Sequence, residues 1–113
     1  MPFVDSKITL KISDEKKEAL KAKIGEAISI IGKPESYLMV GFEDDYTLYF
    51  AGNKLEKGAY VSIDVFGSVN SSQADQMTAR ICEIYEEELG IPGNNIYVEY
   101  RGTRDWGWNG RNF

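Results

Sequence analysis

The sequence contains no histidine and a single cysteine, Cys82. Without histidine there is no Ser-His-Asp or Cys-His catalytic group and no histidine-ligated metal site. One cysteine makes no internal disulfide and no Cys-x-x-Cys redox pair. Long apolar runs are missing too. None approaches the roughly 18 residues that a bilayer-crossing helix needs, so no membrane partner is expected. The first residues show no basic region ahead of an apolar core, and the expected compartment is a reducing cytoplasm. Positive charge is in the minority: 13 Lys and Arg against 18 Asp and Glu give a net charge of −5, the opposite of a nucleic-acid binder's basic footprint. Any chemistry near neutral pH must use an unusual base.

What is present fits one compact domain over residues 1–113, with 42% apolar and 27% charged residues. Val4, Ile8 and Leu10 mark a strand over 2–10. Ser13 suits a helix N-cap, with Asp14 and Glu15 at the positive end of the helix dipole. Leu20, Ile24, Ala27, Ile28 and Ile31 recur at helical spacing, which predicts one helix over 14–31 that Gly32 and Pro34 stop. Tyr37 to Glu43 reads as a strand, 47–51 as a short strand and 51–58 as a polar loop. The same order then returns: a strand over 59–66, a helix over 72–89, a stop at Gly90 and Pro92, and a strand over 95–101. Gly32 falls on Gly90, Pro34 on Pro92, Val40 on Val98 and Ser13 on Ser71, all at an offset of 58.

The chain therefore reads as an internal repeat, roughly 2–43 and 60–101, of strand-helix-strand units. The implied fold is α+β: duplicated β-α-β units with right-handed crossovers, forming a four-stranded mixed sheet with two helices on one face plus short edge strands. In 37–42 (YLMVGF) both alternating faces are apolar, although helices cover only one. Either the C-terminal tail partly covers the second face or, the favoured expectation, other subunits bury it.

Three places could carry chemistry. Pro2 becomes a secondary amine if Met1 is removed, as is common before a small residue. An α-amino group, with a pKa near ~8, is the group closest to neutrality in a chain without histidine. Burial or a nearby cation lowers that value and leaves a neutral general base. Lys33, between Gly32 and Pro34, either complements a helix dipole or, in a pocket, binds a carboxylate or enolate. The tail from Trp106 to Phe113 carries Trp106, Trp108 and Phe113, too aromatic for a disordered end, and suits either packing or a pocket wall. Asp44, Asp45 and Asp64 show no metal-ligand spacing, so neither metal nor cofactor is expected. Cys82 reads as a packing residue, and Glu86-Glu87-Glu88 as a solvated face.

Met1-Pro2-Phe3, Gly32-Lys33-Pro34-Glu35-Ser36-Tyr37, Phe66-Gly67, Gly90-Ile91-Pro92, Asn95-Ile96-Tyr97-Val98 and Gly107-Trp108-Asn109-Gly110 occur in that order. With these motifs the chain resembles the macrophage migration inhibitory factor family of the tautomerase superfamily, from Pro2 to Phe113. The resemblance implies a homotrimer with active sites between subunits, and keto–enol tautomerisation of phenylpyruvate-like α-keto acids or dopachrome-like compounds. It implies Pro2 as base and then acid, Lys33 as the carboxylate or enolate holder, and Phe66 as a backbone N–H contact. Tyr97 would come from the adjacent subunit, with Tyr37, Trp106, Trp108 and Phe113 as an aromatic rim. Three positions depart from the family. Gly58-Ala59-Tyr60-Val61 stands where the mammalian cytokine has Cys-x-x-Cys, so no redox activity of that kind is expected. Glu99 replaces a pocket asparagine, and Trp106 replaces an aliphatic rim residue. The other reading from the resemblance is a signalling or binding protein, met by a protein receptor if secreted, whose tautomerase pocket is idle.

Overall fold

A computed structural model describes residues 1–113. The first strand, β1 (Pro2–Ile8), alternates strictly: Pro2, Val4, Ser6 and Ile8 are buried, while Phe3, Asp5 and Lys7 lie half-buried on the other face. The first helix, α1 (Asp14–Ala27), begins at Ser13, whose Oγ accepts the Lys16 N–H at 3.1 Å. A 3-10 turn over Ile28–Ile31 continues it. Gly32 then ends the helix in the left-handed region at φ 73°, where its N–H returns to the Ile28 and Ser29 carbonyls. The chain continues through β2 (Met39–Glu43), β3 (Tyr49–Phe50), β4 (Asn53–Lys54) and β5 (Ala59–Phe66). It ends with α2 (Ser71–Leu89), β6 (Ile96–Thr103), β7 (Gly107–Trp108) and β8 (Arg111–Asn112).

Three local readings of the sequence need correction. The strand expected from Tyr37 starts at Met39, because the Glu35 carbonyl captures the Leu38 N–H and closes a 3-10 turn over Glu35–Tyr37. The loop expected over 51–58 contains β4: Ala51 (φ 51°) and Gly52 (φ 82°) make a left-handed two-residue turn that pairs it with β3. The offset of 58 sets Ser71 against the Ser13 cap, but α2 is capped one residue earlier, by Asn70, whose side chain accepts the Gln73 N–H.

That last shift reveals how the two halves match. The caps Ser13 and Asn70 are 57 apart, but the stops Gly32 and Gly90 are 58 apart. The first helical segment has one residue fewer, and its 3-10 turn, rising about 2.0 Å per residue against 1.5 Å, restores a length of about 29 Å in both copies.

The four long strands form one sheet in the order β2-β1-β5-β6. β1 runs parallel to β2 and antiparallel to β5, and β5 runs parallel to β6. Each helix thus crosses between parallel neighbours, and the two units meet along β1 and β5. Eighteen buried apolar residues from the helices and the inward sheet face form one core, including Val4, Leu20, Ile24, Val61, Ile63, Met77, Ile81 and Ile84. Cys82 is half-buried against that core, and burial pushes its thiol pKa up. No helix is long and apolar enough to cross a membrane.

One polar contact lies inside the core. The fully buried hydroxyls of Ser6 and Tyr85 hydrogen-bond to each other across the sheet–helix interface. Burial pushes the Tyr85 phenol up to about 12. Replacing one partner leaves the other unsatisfied in an apolar site. Tyr85→Phe is expected to destabilise the fold by about 1–3 kcal/mol. In urea denaturation, the Ser6→Ala, Tyr85→Phe double variant should recover part of that loss.

Candidate active site

Pro2 stands at the head of β1, inside the sheet, and pairs with Val65 of β5. Its ring is buried. The residue before it is tied down by the same pairing: the Met1 carbonyl accepts the Phe66 N–H at 2.9 Å. Burial, and then the charge of Lys33, hold the Met1 ammonium pKa below its ordinary value of 8.0. The first peptide of the chain therefore already lies within the electrostatic reach of Lys33.

Lys33 arrives there because Gly32 reverses the chain at the end of the 3-10 turn. Its half-buried side chain runs to β5, where Nζ donates to the Phe66 carbonyl at 3.0 Å. Phe66 thus uses both of its backbone groups at the site, the N–H toward residue 1 and the carbonyl toward Lys33. Gly67 holds this arrangement with φ 94°, in the left-handed region, and its N–H donates to the Thr103 carbonyl at 2.7 Å. The crossing is tight on the β6 side, where an added Cβ at Gly102 would meet the Gly67 carbonyl oxygen at 2.2 Å.

Above Pro2 is a cavity of about 600 Å³, lined by Met1, Pro2, Phe3, Tyr37, Met39, Trp106 and Trp108 among others. The β7–β8 hairpin forms its outer wall. Asn109 (φ 54°) and Gly110 (φ 88°) make the hairpin turn, and the Phe113 N–H closes the open end on the Trp106 carbonyl at 3.0 Å. Tyr37 meets Trp108 edge-on with centroids 6.0 Å apart. Trp108 lies parallel to Phe113 at 6.1 Å, and Phe113 packs on Phe66 at 5.5 Å. The structure thus brings Pro2, Lys33, Phe66, Tyr37, Trp106, Trp108 and Phe113 into one neighbourhood.

Tyr97 and Glu99 are elsewhere within a single chain. They lie on the edge strand β6 and line a separate cavity of about 760 Å³ with Tyr60 and Tyr100. Tyr97 is exposed and packs on Phe50 at 5.4 Å. Bonds to the Tyr60 hydroxyl and to Arg101 hold the Glu99 carboxyl below its ordinary range, and Arg101 Nε approaches Glu99 Oε1 to 2.6 Å.

Sequence reading missed the Met1 carbonyl, a backbone group that no side-chain pattern announces. It also missed the Gly67–Gly102 crossing, for which the only signal was a glycine at each strand's end.

A duplicated β-α-β sheet with a proline opening a central strand, faced by a lysine and an aromatic rim, is the architecture of the tautomerase superfamily. The family model for macrophage migration inhibitory factor matches residues 1–113, and the chain belongs to that family. A macrophage migration inhibitory factor homolog of Trichinella spiralis is 27% identical over 115 residues, covering 100% of both chains. The Xenopus laevis macrophage migration inhibitory factor is 30% identical over 84 residues, covering 73% of this chain and 72% of that protein. The crystal structure of Leishmania major MIF2 superposes with a TM-score of 0.93 at 36% identity, covering 100% of this chain and 97% of that one.

The Gly67–Gly102 crossing yields a direct expectation. Gly102→Ala must push the Gly67 peptide away from β6, at about 1–3 kcal/mol of overpacking. A thermal melt should show the loss, and a crystal structure of the variant should show a lengthened Lys33 Nζ to Phe66 carbonyl contact.

Proposed function

We propose that the protein is a keto–enol tautomerase of phenylpyruvate- or dopachrome-like substrates. The observation that carries this reading is the shared hold of Lys33 and Phe66 on the chain's first peptide. Removal of Met1 has two consequences at one point. It exposes the Pro2 nitrogen as a secondary amine, and it frees the Phe66 N–H that the Met1 carbonyl occupies at 2.9 Å. The vacated oxygen position is then served by the Phe66 N–H, with the Lys33 ammonium close by.

The roles follow from the charges. The ammonium form of the Pro2 amine is disfavoured by the same burial and the same Lys33 charge that act on residue 1, and the neutral base is correspondingly favoured. It removes a proton from the carbon next to the substrate carbonyl. The electron pair moves to the carbonyl oxygen as an enolate, which the cation and N–H stabilise. The prolinium formed then returns the proton, to oxygen for the enol or to carbon for the keto form. Lys33 also holds the substrate carboxylate. Tyr37, Trp106 and Trp108 exclude water and pack the aromatic end of the substrate.

Proteins of this family typically form oligomers. The assembly proposed here is a homotrimer in which Tyr97 and Glu99 of one subunit complete the pocket of the next. Large exposed side chains on both edges of the sheet support it: Met39 on β2 is 68% exposed and Tyr97 on β6 is 63% exposed.

Two measurements test the mechanism. Intact mass should show loss of Met1, and Pro2→Gly should lower kcat/KM for phenylpyruvate tautomerisation by about a hundredfold or more. Equal rates in the two proteins would overturn the role of Pro2. The pH profile supplies a signed test. The neutral amine is the active form, so kcat/KM should rise with pH through the titration midpoint of the amine. A cation beside an ammonium lowers its pKa, so Lys33→Ala should move that midpoint upward. An unmoved midpoint removes Lys33 from the electrostatics of the amine.

A further inference from the structure

The C-terminal hairpin has a second side that the reaction above does not use. Trp108 of β7 sits directly across from Arg111 of β8. Directly opposed residues project to one face, and Phe113, two residues beyond Arg111, shares it. Together with Asn109 and Asn112 these side chains line a cavity of about 390 Å³. Trp108 belongs to this cavity and also to the one that holds Pro2, so the two adjoin at Trp108. Arg111 makes no ion pair with any carboxylate of the chain, although six other Lys and Arg side chains do. In a protein of net charge −5, an unpaired guanidinium therefore stands on the aromatic rim with side-chain amides beside it.

The backbone that carries this cation is fixed in advance. Its hairpin is closed at one end by the Asn109-Gly110 turn and at the other by the Phe113 N–H on the Trp106 carbonyl. A ligand group met there costs little ordering of the backbone. The rim presents aromatic faces from Phe66 through Phe113 to Trp108, with Lys33 bonded at the Phe66 end and Arg111 at the Trp108 end.

We propose that the hairpin cavity is a subsite for a second anionic group on the substrate. The substrate class is an aromatic keto acid or enol that is acidic at both ends. Lys33 takes the carboxylate next to the reacting carbonyl, the ring lies against Trp108, and Arg111 takes the distal acid. Arg111 is thus a specificity-determining residue. A guanidinium recognises a carboxylate through two parallel N–H bonds, which a lysine or a glutamine does not reproduce. This inference rests on the Pro2 reading for the orientation of the substrate.

The test compares phenylpyruvate with 4-carboxyphenylpyruvate, using the full chain with Met1 removed. The expected kcat/KM ratio favours the dicarboxylate by about fivefold, as for a partly solvated ion pair, and shrinks as salt is raised. Arg111→Gln should bring the ratio to about one, and Arg111→Glu should invert it. No preference in the wild type, or a preference that survives Arg111→Gln, overturns the subsite. Quenching of tryptophan fluorescence gives the same ratio as dissociation constants, without turnover. If neither keto acid is turned over, the tautomerase reading fails by itself, and the quenching ratio in wild type and Arg111→Gln still decides the subsite. An Arg111→Gln protein that does not fold shows that Arg111 supports the hairpin, and this too overturns the proposal.

Discussion

The structure depends on the pairing of β1 on both of its edges. Chain termini usually fray, because few contacts hold them. Here the N-terminal strand lies inside the sheet, parallel to β2 on one side and antiparallel to β5 on the other. Every second side chain of the strand is buried in the core. The position of residue 2 is therefore fixed as firmly as that of a core residue. The end of an ordinary chain is mobile, and this pairing is what gives residue 2 a fixed place. The register fixes the rest of the site: it sets the Phe66 N–H against residue 1, and the Phe66 carbonyl then receives Lys33.

Electrostatics act on that frame through few charges. The chain is acidic, and most of its ion pairs lie on its surface, such as Lys23 with Glu87 and Glu88 across the two helices. Such pairs contribute little to stability and leave the interior apolar. The site differs in that its lysine faces a carbonyl oxygen and not a carboxylate. The charge of Lys33 remains available to act on the first residue and on an anion.

The repeat, its helices and their stops were legible in the sequence because they rest on local rules: Ser13 caps, Gly32 and Gly90 reverse, and Pro34 and Pro92 forbid continuation. The aromatic tail was legible as an ordered segment because a run with Trp106, Trp108 and Phe113 is too aromatic for a disordered end. The start of β2 at Met39 was not, since a single hydrogen bond, Leu38 to Glu35, decides it. The Met1–Phe66 contact was invisible because it joins two backbones, and register is a property of the sheet and not of either segment. Pro2 and Lys33 could be singled out by chemistry, yet their meeting point at Phe66 required the fold. The place of Tyr97 and Glu99, on an edge strand away from Pro2, follows from the β6 pairing that no short motif encodes.

The duplication has a consequence for the number of sites. Superposing the two units by their buried strand positions puts Ala59 where Pro2 stands, and by their helix stops puts Ile91 where Lys33 stands. Both are buried. The nitrogen of Ala59 is bound in a peptide to Gly58, so it is no base, and Ile91 carries no charge. The second half of the near-symmetric scaffold lacks a free amine for a covalent reason: a polypeptide has one amino end. A free nitrogen at residue 59 and a cation at residue 91 are what the second half would need to match the Pro2 and Lys33 positions of the first.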